Sequence, residues 1–214
     1  MTDHPRGAGS GGAATSPGLA AQQEASRASG MRSPLGLLGS LVLLLALPIA
    51  VLTQVVFGGG SAVAIHLALA AGCALVSLSA FDFGTPRWLA WIGCVSAGAF
   101  AAIFLVQGAS TLIGNESFSY FANEVLGFWP EKVLLSLITV WLVGVLLTAS
   151  RGKTRTMGFV AMAIVVCVEA YVYFGLFVLG TNPFLETAAV KLPYLLPFVW
   201  LIFESAKRRS RTGP

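Results

Sequence analysis

The sequence predicts an all-α, polytopic membrane helix bundle of six transmembrane helices. A disordered N-terminal tail precedes them, and a short interfacial helix joins the third and fourth spans. Three observations carry this. Only 10% of the 214 residues are charged, against ~25% in an ordinary soluble domain. No Asp, Glu, Lys or Arg occurs from Ser33 to Phe81, a stretch too long for one span and long enough for two. The run Met157–Gly180 holds a single formal charge, Glu169, at its middle. At ~1.5 Å of rise per residue such a run covers the ~30 Å hydrocarbon core.

Residues 1–33 are rich in Gly, Ala and Ser and lack aromatics. They bury too little apolar surface to offset the entropy of ordering, which predicts a disordered tail. Arg32 before an apolar run also fits a signal peptide, and small residues at Gly58–Ala62 would suit cleavage. The run Leu35–Phe57 exceeds the ~7–15 residues of a signal core, so an uncleaved first span is expected. Residues 34–206 then form the membrane domain, and 207–214 a basic tail.

The first span is Leu35–Phe57, kinked near Pro48. Gly58–Gly60 turn the chain into the second, Ser61–Phe81. Asp82–Arg87 is a tight connection with Thr85 as N-cap and Pro86 at the first helical position. The third span is Trp88–Leu112, the fourth Val133–Ser150, the fifth Met157–Gly180 and the sixth Thr187–Ser205. Pro193 and Pro197 should bend the sixth. Trp88, Trp91, Trp129 and Trp200 fall near span ends, where indoles settle at the membrane interface.

Orientation follows from the 13 Lys and Arg. With the N-terminus inside, Arg6, Arg27, Arg32, Arg87, Arg151, Lys153, Arg155, Lys207, Arg208, Arg209 and Arg211 face the cytoplasm; Lys132 and Lys191 lie outside. That asymmetry predicts a multi-pass protein of the cell membrane with both termini cytoplasmic. The tail Lys207–Arg211 is then placed at the anionic headgroups of the inner leaflet.

The longest connection, Ile113–Lys132, places Phe118, Phe121, Ala122, Val125 and Leu126 at helical spacing. A short amphipathic helix on the outer surface is expected, capped by Asn115 or Ser117 and ended by Gly127 and Pro130. It serves as a lid over an outward cavity or as an aromatic-anchored connector. Asn115-Glu116-Ser117 also matches the short glycosylation triplet.

Every span but the fourth carries a notable polar or ionisable group. Gln54, His66, Gln107 and Lys191 fall toward the outer ends of their spans. Glu169 sits deeper, roughly 16 Å from either end of its span. The inner half reads as nearly plain hydrocarbon. His66 shares a helical face with Ala62, Ala70, Cys73 and Ser77, small residues that let helices approach, so that face should point into the bundle. Tyr173 lies one turn from Glu169 and can donate to it, and Tyr194 neighbours Lys191. These positions predict an outward-facing polar pocket between spans two, three, five and six. Glu169 would form its floor and His66, Gln107, Lys191 and Tyr173 its walls. Simpler roles stand beside this one: His66 as a hydrogen-bonded packing residue, Lys191 snorkelling to headgroups, Gln54 and Gln107 wetted at the interface.

Several chemistries find no support in the chain. Bis-His haem ligation needs two membrane histidines, and apart from His66 there is only His4, in the tail. No metal-ligand spacing, Gly-rich phosphate loop, HExxH or GxSxG occurs. Cys73, Cys94 and Cys167 lie in apolar runs and read as small core residues. No cofactor is expected, and the basic residues sit in short connections and not on a nucleic-acid-binding surface.

A carboxylate in mid-membrane is costly and marks a functional site by default. The first functional expectation is a protein that moves a proton or small polar solute through Glu169, His66, Lys191, Gln107, Tyr173 and Tyr194. The alternative is a non-catalytic subunit, sensor or assembly factor whose Glu169 pairs with a helix of a partner membrane protein. An enzyme is the less favoured class. The three-plus-three split of spans also allows an inverted repeat, with His66 and Glu169 on equivalent helices.

Overall fold

A computed structural model of the chain describes residues 34–53, 63–175, 178 and 191–211. The expectations for the tail, Gln54, the Gly58–Gly60 turn, Ala62 and the start of the sixth span lie outside these residues. Among the described residues all regular structure is helical.

Five helices are long and apolar enough to cross a membrane. Helix α1 is Pro34–Thr53 and runs through Pro48. Helix α2, Val63–Ser79, tightens into a 3-10 turn at Ala80–Phe83. Helix α3 is Arg87–Ile113. A short α4, Glu116–Tyr120, passes through a π-helical turn, Phe121–Val125, toward α5, Trp129–Thr148. Helix α6 is Lys153–Phe174. A 3-10 turn, Leu192–Tyr194, leads into α7, Leu195–Arg211. The bend predicted at Pro193 takes the form of this turn, since proline cannot donate an α-helical bond.

Local chemistry sets the boundaries, with some corrections. Pro86, not Thr85, caps α3: its backbone is extended (φ −51°, ψ 140°) and its carbonyl accepts from the amides of Leu89 and Ala90. Gly114 ends α3 in the left-handed region (φ 65°), its N–H closing on the Ser110 carbonyl. In the long connection Asn115 is the cap, its Oδ1 accepting from the Phe118 amide at 3.0 Å. The amphipathic face is only partly used. Ala122 is fully buried, whereas Phe121 and Val125 are exposed, and a π-helical turn runs through all three.

Helices α2 and α3 pack closely along the small-residue face of α2, and His66, Ala70, Cys73 and Ser77 are all buried. Ser77 Oγ donates to the Cys94 carbonyl at 2.7 Å across this contact. Helix α3 meets α5 where Gly93 lies under the Trp141 indole, and a Cβ there would come within 2.5 Å of the ring. Trp141, Leu142, Val145, Leu146, Val165 and Leu201 form the middle of the core.

Trp88, Trp91 and Trp129 are exposed, but Trp200 is 1% exposed and packs against Gly158. Its place near a span end misled, because α7 turns that face onto α6. Cys73 is buried, but Cys167 is exposed on the apolar outer face of α6, so it is no core residue.

The last helix lies parallel to α5. Its start, at Lys191, meets Glu131 at the start of α5, and its later part, at Glu204, meets Ser150 just past the end of α5. Helix α6 runs antiparallel between them, since Thr154 near its start meets Lys207 and Glu169 near its end meets Thr139.

Candidate functional site

Polar side chains gather at three levels along the seam of α5, α6 and α7. At the Lys191 end, Lys191 Nζ lies 2.7 Å from Glu131 Oε1, with the Glu131 side chain 4% exposed. The adjacent Lys132 is also buried, with its ammonium 4.5 Å from the Phe128 ring centroid. Both residues belong to the first helical turn of α5, not to an outer loop, because α5 begins four residues earlier than expected. Lys191 therefore neither reaches Glu169 nor snorkels unpaired.

One level deeper, the Glu169 carboxylate sits half-buried in the seam. Its Oε1 accepts from Thr139 Oγ1 at 2.8 Å and from the Tyr194 phenol. Tyr194 and Thr139 are also within hydrogen-bond reach of each other, and the phenol reaches the Leu135 carbonyl at 2.9 Å. Three helices thus place three side-chain oxygens in mutual contact beside a backbone acceptor. Tyr173 lies on the same seam: its hydroxyl pairs with Ser136 Oγ at 2.9 Å and donates to the Lys132 carbonyl at 3.2 Å.

The proton count of this cluster is its chemistry. Thr139 and Tyr194 have one hydroxyl hydrogen each. With the carboxyl ionised, both point at Oε1. With it protonated, the carboxyl itself becomes a donor and the phenol is free to turn to the Leu135 carbonyl. Both arrangements use the same heavy-atom positions.

The third level lies at the other end of the seam. Glu204, 2% exposed, accepts from Ser150 Oγ at 3.0 Å. Lys207 Nζ donates to the Arg151 carbonyl at 2.6 Å and to Thr154 Oγ1 at 2.9 Å. This half is not plain hydrocarbon, as α7 carries a carboxyl into it. Between Thr139 and Ser150, about 16 Å of α5 carries Val145 and Leu146 into a core shared with Val165 and Leu201, all buried and apolar.

His66 and Gln107 lie elsewhere, on the α2–α3 contact. His66 is buried with its Cβ against Gly108. Gln107 is buried and its Nε2 donates to the Ala122 carbonyl at 3.4 Å, bracing the long connection over the end of α3. The structure thus gathers Glu169, Tyr173 and Tyr194 on one seam, sets Lys191 against Glu131, and holds His66 and Gln107 on another pair of helices.

The cavity in this half is not the polar pocket the sequence suggested. About 60 Å³ in volume, it is bounded by α1, α2, α3, α5 and the last helix. Its walls are aliphatic and aromatic side chains, the Tyr194 ring among them, with the Cys73 thiol and the Glu131–Lys191 pair. Glu169 and Tyr173 open instead on a small crevice with Lys132, Leu135 and Val172.

Sequence reasoning missed Thr139, Ser136, Ser150, Glu131 and Glu204. A signal was present: Lys132, Ser136, Thr139, Val143, Leu146 and Ser150 follow alternating steps of four and three, the seam spacing of packed helices. Tyr194, Pro197, Leu201 and Glu204 are likewise in phase on the last helix.

Comparison of the chain with models of known families, with curated proteins and with solved structures finds no match.

Proposed function

We propose that this is a six-crossing protein of the cell membrane that moves protons, with Glu169 as the group loaded and unloaded. One observation supports it above the rest: Glu169 Oε1 accepts from Thr139 and Tyr194, and the Leu135 carbonyl stands by as the phenol's second acceptor. Lys191–Arg211 serves as the sixth crossing, since it runs alongside α5 from Glu131 to Ser150. The charge asymmetry puts both termini in the cytoplasm, so Glu169 communicates with the outer face past Tyr173 and Lys132. The apolar layer between Thr139 and Ser150 then separates this site from Glu204 and the cytoplasm. The crevice onto which Glu169 and Tyr173 open is small, which favours the proton over a small polar solute as the species moved.

The second reading is a non-catalytic subunit, sensor or assembly factor whose α6 docks a partner helix. It draws on the exposure of α6, only 33% of whose most apolar window is buried. In that case Tyr171, Phe174 and Val166, all exposed, would meet the partner.

Reconstituted vesicles carrying a pH-sensitive dye separate the two. Under the first, wild type carries protons down an imposed pH gradient and Glu169→Gln does not. Flux unchanged in Glu169→Gln overturns it, and loss of a co-purifying membrane protein in that variant supports the second.

A further inference from the structure

The cavity between α1, α2, α3, α5 and the last helix has a definite chemical polarity. Leu43, Leu69, Cys73, Phe100, Phe104 and Phe198 supply much of its apolar wall, and Glu131 and Lys191 line one part of it. A water needs roughly 10–15 Å³ by this measure, so about 60 Å³ admits several water-sized groups. Walls of this kind hold water poorly and hydrocarbon well.

The charged pair decides which head such a ligand carries. Glu131 and Lys191 stand 2.7 Å apart, and the carboxylate side chain is 4% exposed. An anionic head would draw Lys191 away and leave the buried Glu131 charge without its counter-ion, and a cationic head would do the converse to Lys191. A hydroxyl does neither, since it donates to the carboxylate and accepts from the ammonium at the same time.

We propose that this cavity binds a neutral amphiphile: one hydrocarbon chain along the apolar wall, with a hydroxyl head on the Glu131–Lys191 pair. The site adjoins the Glu169 cluster through Tyr194 and Leu135 among its lining residues, and does not rest on proton movement. Its test therefore fails or succeeds apart from the flux assay.

The test is photolabelling of the full chain in lipid nanodiscs with a diazirine-bearing octanol, mapped by mass spectrometry. Labels are expected on Cys73, Phe100, Phe104 and Phe198, removed by excess octanol but not by octanoate or octylamine. Leu69→Trp, which fills the cavity, should weaken competition by octanol about tenfold, the scale of a lost apolar pocket contact. Cys73→Met gives the same direction with a smaller change of volume, should the tryptophan variant fail to fold. Labels confined to exposed residues such as Leu45, Leu105 and Val160 would overturn the site. So would labelling of the cavity that neither octanol nor the filling variants reduce. Competition by octanoate equal to that by octanol would overturn the neutral head.

Discussion

Tyr194 and Glu169 meet directly, the phenol of the last helix donating to the carboxylate of α6 while Thr139 of α5 donates to the same oxygen. One carboxyl oxygen therefore ties three helices together.

Removing either hydroxyl should weaken that tie without emptying it. Interhelical hydrogen bonds in membranes average about 0.6 kcal/mol and reach about 1.7. Tyr194→Phe and Thr139→Val should each destabilise the protein within that range and slow proton flux. Because they share Oε1, the double variant should lose less than the sum. Unfolding in detergent micelles by a double-mutant cycle reads the coupling, and strict additivity would mean that the two hydroxyls do not act on one group.

The ion pair at the start of the seam should matter more. Lys191→Met leaves Glu131 charged and buried without a counter-ion, a loss of about 3–5 kcal/mol for a pair of this kind, less the share screened by water at Lys191, which is 19% exposed. Glu131→Gln in the same chain should recover most of it. Equal stability of Lys191→Met and wild type in an unfolding titration would show that the pair is not formed.

Packing at the α3–α5 crossing gives a third test. A methyl added in Gly93→Ala falls within 2.5 Å of the Trp141 ring, and overpacking of this sort costs about 1–3 kcal/mol. Trp141→Leu in the same chain should restore part of the loss. Thermal unfolding in detergent measures both, and an unshifted midpoint in Gly93→Ala would contradict the crossing.

The long helices were legible because length and hydropathy alone decide them: α1, α2, α3, α5 and α6 begin within a few residues of where the apolar runs begin. Glu169 was legible too, as a charge with no interfacial excuse. Glu131 and Glu204 were not, since a charge near the end of a run looks like an ordinary interfacial residue until a neighbouring helix covers it. Thr139 and Ser150 were hidden for a different reason. A hydroxyl in a helix can satisfy itself on the preceding turn, so nothing in composition says when it reaches across instead. The pairing of Lys191 with Glu131 depended on α7 lying parallel to α5, a relation set by packing.

The latch at the other end makes a fourth prediction. Lys207 holds the Arg151 carbonyl and Thr154, and Ser150 holds Glu204. Ser150→Ala should cost about 1–2 kcal/mol, a buried hydrogen bond to a charged group less what its other partners supply. Lys207→Met should speed amide exchange in the last turns of α7 while leaving the Glu169 seam unchanged. Exchange unaltered in both places would show that the latch carries no stability.

Infrared difference spectroscopy on the reconstituted protein, stepped through pH, tests proton loading of Glu169 most directly. A protonated carboxyl band should grow and fade with pH in wild type, vanish in Glu169→Gln, and shift in frequency in Tyr194→Phe, where one hydrogen bond to that carboxyl is gone. A titrating band that survives Glu169→Gln unchanged, or no titrating band at all, would contradict it.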